Sequence, residues 1–504
     1  SLLRKVGVCG TEEALSRVAN AAGHHAKAVE LLGTLLVWLF KGEANLTPLQ
    51  LPENNQDVEF QVSSILDCYR RHLPLELQDI VSLASSFREP PSEELLLRYL
   101  QSPAVEQLLR DNWGRSYLSF SCRPTASIQE ALDQVVVLRL LERVGPGPAP
   151  VIDAHPLVRR GFEPNGMGGN IRATASSRAG FLRGRPDRLR PETMEDARES
   201  LELFFAYCDA QLWAEADSIY RSLENPKHRW LAPSLEKDLL SRFFPSGNWN
   251  EPPLWSGFSR WRSLAISLEM LGDFEEALKV YRPTDEALSG DALIAIGQLH
   301  PLIEQTRKPG PWDNLWQAYR CHALSLAGHH HEALELVQTL SPTDMYEWVH
   351  VFECLLRLGR LDLVDLASLK VNQRNDHPWN ELARRRILAD YHRCQQGASS
   401  DLVDDFRDIQ QKYDQAGLPV ERLIVRLSLS SLLINLKRLE EADNCLTQAN
   451  EIQKRYQMKS WAPDIFNGFI KCPHAKDKRE EADRLRSIEE HPWQAGGKHS
   501  CLRP

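Results

Sequence analysis

Between Trp261 and Tyr281 the apolar positions change phase once, at a glycine. Leu264, Ala265 and Leu268 share one face of a 3.6-residue helix. Gly272-Asp273 then interrupts the pattern at a residue free to take positive φ, and Ala277 and Tyr281 recur four apart. The pattern predicts two helices joined by a tight turn, with a small side chain where they must approach closely. A unit of this size cannot bury its own apolar face, so it needs neighbours.

Degenerate copies recur along the chain. Leu203-Phe204 and Tyr207 precede Trp213, Ala216 and Tyr220. Cys321 and Leu324 precede Gly328, Ala333 and Val337. Leu355, Gly359, Leu361 and Val364 form a weaker copy, and Leu429 and Leu433 precede Leu439, Ala442, Leu446 and Ala449. The pattern resembles a tetratricopeptide (TPR) repeat, whose period is about 34 residues. Ala333 to Val364 fits that period. Ala216 to Ala277 and Ala277 to Ala333 are far longer, so either extra helices are interposed or some copies have diverged.

Ahead of the repeats, residues 1–50 hold two helices, the second over Ala26–Trp38. Between 60 and 160 the pattern predicts helices at Val62–Arg71, Leu77–Ser86, Glu93–Leu100, Ala104–Asn112 and Ile128–Arg143. A Gly-Pro-Gly-Pro turn at Gly145–Pro148 and a strand-like Val151-Ile152 follow. Short helices followed by a β-turn-β element have the appearance of a winged helix. Residues 161–191 carry six arginines (Arg172, Arg178, Arg183, Arg185, Arg188 and Arg190) and little apolar periodicity, and read as a flexible Arg/Gly-rich linker. The repeat domain is expected over 192–470 and a polar tail over 471–504. The predicted fold is therefore mainly all-α: a winged-helix-like domain followed by a TPR-like α-solenoid.

Composition narrows the function. A formal net charge of −9 argues against a general nucleic-acid binder. No apolar run reaches the length of about 18 needed to span a bilayer. The ten cysteines include no C-x-x-C pair, and Cys208, Cys321, Cys354 and Cys445 fall on apolar faces, as reduced thiols of a cytoplasmic protein do. No G-x-x-x-x-G-K-[ST] motif occurs, and Gly166-Met-Gly168-Gly169 lacks the lysine and preceding strand of a phosphate loop. No catalytic residue and no metal site are expected. His329-His330-His331 sits at a turn between repeat helices, without the Cys or carboxylate partners of a metal centre. The chain opens on Ser within an apparent helix, and residues upstream of it are expected.

Two segments carry a wider resemblance. Gly23-His24-His25-Ala26-Lys27-Ala28-Val29-Glu30-Leu31-Leu32-Gly33 resembles the Gly-(His/Leu)-Pro-Leu-Ala-Leu segment near the end of the nucleotide-binding module of STAND signalling ATPases (the NB-ARC and NACHT relatives). Val151-Ile152-Asp153-Ala154-His155-Pro156 resembles the His motif that closes the same family's winged helix. Here His25 stands at the family's proline and Lys27 where alanine is usual. The resemblance implies that Gly23 and His25 lie near the adenine and His155 near the β-phosphate of ADP, provided the ATPase module is present; this chain holds no cofactor of its own. His155 reads equally well as the cap of a helix starting at Pro156.

The order of segments resembles the C-terminal part of a bacterial STAND ATPase. That implies a non-catalytic regulatory and sensor region. Its repeats would bind a protein or peptide trigger on their concave face, at Trp261, Arg262, Gln317, Arg320, Glu353 and Arg357, and the resemblance leaves room for an oligomer on activation. A stand-alone TPR adaptor is an alternative. A second rival is a transcriptional regulator whose winged helix reads DNA. It needs a basic recognition helix, whereas Ile128–Arg143 sets Glu130, Asp133 and Glu142 against Arg139 and Arg143.

Overall fold

A computed structural model describes residues 2–49, 58–115, 120–145, 150–162, 170–183, 191, 193–223, 226, 230–281, 290–307, 313–366 and 378–472. The Gly166–Gly169 stretch, most of the Gly145–Pro148 turn, Arg185, Arg188, Arg190 and nearly all of the polar tail lie outside these residues. The chain folds as two compact units, Ser1–Leu223 and Glu224–Pro504. Among the described residues it is mainly α-helical, with one short antiparallel hairpin as its sheet.

The first unit opens with α1 (Leu2–Val6), α2 (Glu12–Ala21), α3 (Ala26–Phe40), α4 (Val58–His72), α5 (Leu75–Ser85), α6 (Glu93–Leu100), α7 (Pro103–Asp111) and α8 (Thr125–Val137). Thr11, Ser92 and Ser102 cap α2, α6 and α7, each accepting a backbone N–H three residues on, which satisfies a donor the helix leaves free. The buried Tyr69 hydroxyl lies 2.9 Å from the Leu31 carbonyl and 3.1 Å from that of Leu138, tying α4 to α3 and to the end of α8.

The structure corrects the long helix expected over Ile128–Arg143. Helix α8 stops at Val137, Arg139 takes a left-handed φ of 61°, and the Leu140 amide turns back to the Val135 carbonyl. β1 (Glu142–Val144) then pairs antiparallel with β2 (Val151–Asp153). One apolar run, Val135–Leu141, thus serves a helix end and a turn, and the strand starts after it. Leu138, Leu140 and Leu141 are buried, whereas Val137 is 71% exposed.

The rest of the unit is α9 (Pro156–Gly161), α10 (Ile171–Arg183), α11 (Arg198–Asp209) and α12 (Trp213–Ser222). Helix α10 lies inside the stretch read as a flexible linker and is packed against α7 and α11. Its buried positions are Thr174, Ala175, Arg178, Ala179 and Leu182, a helical stripe too small and polar to register as periodicity. Arg178 is 1% exposed. It pairs with Glu202 at 3.0 Å and Asp209 at 3.1 Å. Glu202 also accepts the backbone N–H groups of Arg88 and Glu89, both at 3.0 Å. A buried charge is tolerable when paired and hydrogen-bonded, and this one fastens α10 to the unit.

The second unit begins with α13 (Pro233–Ser241) and then runs as helical hairpins: α14 (Trp261–Met270) with α15 (Phe274–Val280), α16 (Gly290–Ile296) with α17 (Leu299–Gln305), and α18 (Asp313–Leu326) with α19 (His330–Val337). Next come α20 (Met345–Leu358) with a 3-10 turn at Leu361–Leu363, α21 (Pro378–Gln396) with α22 (Ser400–Ala416), α23 (Pro419–Asn435) with α24 (Leu439–Tyr456), and finally α25 (Ala462–Lys471). It is an α-solenoid of helix–turn–helix repeats. The over-long interval from Ala277 to Ala333 is explained by an interposed hairpin, α16–α17.

One backbone turn recurs in most of these hairpins. Gly272, Gly297, Gly328, Gly359 and Lys437 take positive φ. In each case the next amide donates to the carbonyl five residues before it: Asp273 to Leu268, Gln298 to Leu293, His329 to Leu324, Arg360 to Leu355 and Arg438 to Leu433. This is the Schellman closure of a helix end. The α11–α12 hairpin of the first unit has it too, with Gln211 left-handed and Leu212 donating to Tyr207.

The hairpins curl until the last meets the first. A Cβ on Gly272 would run into the Tyr456 ring and Pro419, and Gly297 faces Lys459 and Ser460. Gly328 has the same φ of 82° but open space around it. Gly328→Ala should therefore cost about 1 kcal/mol, the backbone share alone. Gly272→Ala should cost at least about 1 kcal/mol more through overpacking. Denaturant unfolding of the two variants measures the difference, and equal costs would mean the closing contact contributes nothing.

Candidate functional site

Two places gather polar side chains. In the first unit, Gly23 turns the chain with φ 59° and His24 follows at 56°, which sets His25 at the N-cap of α3. The His25 Nδ1 accepts the Ala28 amide at 3.4 Å. His155 does the same for α9, accepting the Leu157 amide at 3.3 Å. An Nδ1 that accepts leaves the neutral ring's proton on Nε2. Lys27, two residues after His25, is 8% exposed and paired with Glu30 at 2.9 Å and Glu142 at 2.5 Å. Burial, and then the Lys27 charge, hold the His155 pKa below the ordinary histidine value; His25 adds to the same shift. The two motifs lie 130 residues apart, yet the Lys27 and His25 charges both act on His155, and each histidine caps its helix. Arg143, on the β1–β2 hairpin, is engaged by Glu93 at 2.7 Å and by Asp133.

The second place is a cavity of about 90 Å³ inside the second unit. Helices α14, α16, α18, α20, α21 and α23 each turn one face toward it, and Phe274 of α15, Tyr413 of α22 and Trp461 complete the lining. A chain of hydrogen bonds runs along one wall. The Tyr319 hydroxyl donates to Asp291 at 3.1 Å, the His350 Nε2 lies 3.2 Å from the same carboxylate, and the His350 and His322 Nδ1 atoms are 3.1 Å apart. With the proton on the Nε2 that faces the carboxylate, a neutral His350 would accept at Nδ1 from His322. The His322 Nε2 is buried and has no hydrogen-bond partner among the described residues. Burial, His350 and the Arg357 and Arg386 charges push the His322 pKa well below the ordinary value.

Nearby, Glu269 is 6% exposed and accepts from the Tyr281 hydroxyl at 2.9 Å and the Ala292 amide at 3.1 Å. Burial, and secondarily Asp291, raise its pKa well above the carboxylate range. Glu421 accepts from the Trp379 indole at 3.0 Å, and burial raises its pKa too. Arg386, 2% exposed, is held by Glu353 at 2.6 Å and approaches Asp390 at 3.6 Å.

Of the six residues expected on a concave binding face, Glu353 lines this cavity and is spent on Arg386. Arg357 is bound by both oxygens of Asp464, one at 3.1 Å, and lies over the Trp461 ring. Trp261 packs edge-on against Phe244 and Phe258 in an aromatic cluster. Arg262, Gln317 and Arg320 are half-buried, the last two on α18. The sequence reading missed Glu269, Asp291, His322, His350, Arg386 and Glu421. Its one usable signal was α20, where His350 and Glu353 interrupt an otherwise apolar run. His329 and His331 sit beside Glu332 and Glu335 at an exposed turn. Among the described residues no group of three or more His, Cys, Asp or Glu side chains is placed to hold a metal, and no helix is long and apolar enough to cross a membrane.

No family model matches the chain, and a search of curated proteins finds no match. Among solved structures, it is similar to a Signal Transduction ATPase with Numerous Domains (STAND) protein with a tetratricopeptide repeat sensor from Pyrococcus horikoshii. The identity is 15% and the TM-score 0.35, covering 96% of this chain and 67% of that one.

Two outcomes follow from the buried charges. Glu353→Ala should destabilise the second unit by about 3–5 kcal/mol, because it strands Arg386. Glu353→Leu combined with Arg386→Met should recover more than half of that loss in chemical denaturation. The folded-state pKa of Glu269 lies above its unfolded value near 4.5, so its stabilisation is complete below that value and fades as pH rises through the folded one. Glu269→Gln should therefore unfold at a higher temperature than wild type at pH 8 and at a similar temperature at pH 4.5.

Proposed function

We propose that this chain is the non-catalytic sensing and relay region of a STAND-type signalling protein. In this reading the second unit recognises a protein or peptide trigger, and the first unit, with its winged-helix-like hairpin, relays occupancy to an ATPase module. The observation that carries the reading is the repeat array itself: hairpins of one turn type, closed around a polar-lined interior. Such an architecture presents its inner face for binding.

The meeting of His25 and His155 supports the relay half. Each imidazole keeps an Nε2–H that can donate to a phosphate oxygen, and Lys27 adds positive charge beside them. The nucleotide would be held by these groups together with a phosphate loop on the ATPase module, and its exchange would break the contact and release the hairpin.

The gene upstream of Ser1 decides between this reading and a stand-alone adaptor. A phosphate loop encoded in frame supports it; an authentic start codon at this point contradicts it. In a protein carrying that module, His155→Ala should raise basal ATP turnover about tenfold, the value of one lost charge-assisted hydrogen bond. Unchanged turnover would remove the latch role of His155.

A further inference from the structure

The cavity of the second unit is unbalanced in charge. Glu269, Asp291, Glu353 and Glu421 line it, against the single guanidinium of Arg386. That guanidinium is already taken by Glu353 and shared with Asp390. Among the described residues the other three carboxylates form no ion pair with Lys or Arg. Glu269 and Glu421 meet only neutral donors, and Asp291 meets a tyrosine and a histidine. Burying a carboxylate without a cation is costly, and the group relieves the cost by taking up a proton. The raised pKa values of Glu269 and Glu421 are that response.

Two buried polar atoms on the cavity wall point the same way. These are His322 Nε2 and the Tyr413 hydroxyl; the residues are 3% and 0% exposed, and neither atom has a hydrogen-bond partner among the described residues. Aromatic surface is also at hand. Tyr346 and Trp379 stack with centroids 4.5 Å apart, and both line the cavity together with Trp461. Ring faces attract cations, and the apolar remainder suits a short hydrocarbon stem. The one lining guanidinium that an anion could meet, Arg386, is already held by Glu353.

We propose that this cavity binds the ammonium head of a ligand on a short apolar stem, with Asp291 as counter-charge and Glu421, His322 Nε2 and the Tyr413 hydroxyl as acceptors. The ammonium comes either from a free small amine or from a lysine side chain of a peptide. The proposal rests on the second unit being the part of the chain that recognises a trigger, and it specifies the chemistry recognised.

Calorimetric titration of the full chain tests it. Isopentylamine should bind at least about tenfold more tightly than isopentanol, with 3-methylbutanoate weaker still. Asp291→Asn, a partly exposed position, should lose at least about tenfold in amine affinity while unfolding at the wild-type temperature. Glu421→Gln is the second variant, should the first fail to fold. N-acetyl-lysine N-methylamide distinguishes the sources: tighter binding than isopentylamine assigns a peptide lysine, and weaker binding assigns a free amine. Equal affinity for amine and alcohol, no binding by either amine, or a folded Asp291→Asn chain with unchanged amine affinity overturns the proposal. Those failures concern the cavity alone, whereas the relay reading is decided by the upstream gene and His155.

Discussion

The contact of Gly272 with Tyr456 and Pro419 determines what the inner face of the second unit is. In an open solenoid that face is a groove bathed in water, and polar side chains on it need no partner. Here the curl brings the last hairpin back to the first, so those side chains are withdrawn from solvent and must find partners among themselves. Gly272 permits this twice over. It supplies the left-handed residue of the turn, and it leaves room for the Tyr456 ring.

The consequences run inward from that contact. Charges that would otherwise be solvated become a buried pair at Glu353 and Arg386, a relay from Tyr319 through Asp291 and His350 to His322, and two carboxylates shifted toward their neutral forms. The balance is incomplete, with surplus negative charge and unused buried polar atoms around one small space. Structure of this kind contributes little to stability for the cost it carries, and the proposal of a recognition site rests on that imbalance. The first unit follows the same rule with the opposite outcome. Arg178 is matched by Glu202 and Asp209, and Glu202 in turn by two backbone amides, so that cluster is closed and structural.

The hairpins were legible in the sequence because each repeats a local rule: apolar spacing, a turn residue able to take positive φ, and a small residue at the crossing. The hairpin α16–α17 was not, since its seven-residue helices are too short to show a period. Helix α10 was hidden by its own composition, because a buried stripe of Thr, Ala and Arg looks like a solvated linker. The end of α8 was misplaced because apolar character does not say where a chain turns, and Arg139 gives no local sign of its left-handed φ. The cavity was the least legible part. Glu269, Asp291, His322, His350, Arg386 and Glu421 each sit on an amphipathic helix as an ordinary polar residue would. Only closure of the array, set by residues up to 184 positions apart (Gly272 and Tyr456), turns them toward one another.

The claim on which the account stands is that the array is closed in solution. Spin labels at the exposed positions Glu275 and Lys454, close to the Gly272–Tyr456 contact, report it directly through their distance distribution. A single narrow peak at short distance is the predicted result. A broad distribution reaching the long distances of an open superhelix would contradict closure, and with it the enclosed site.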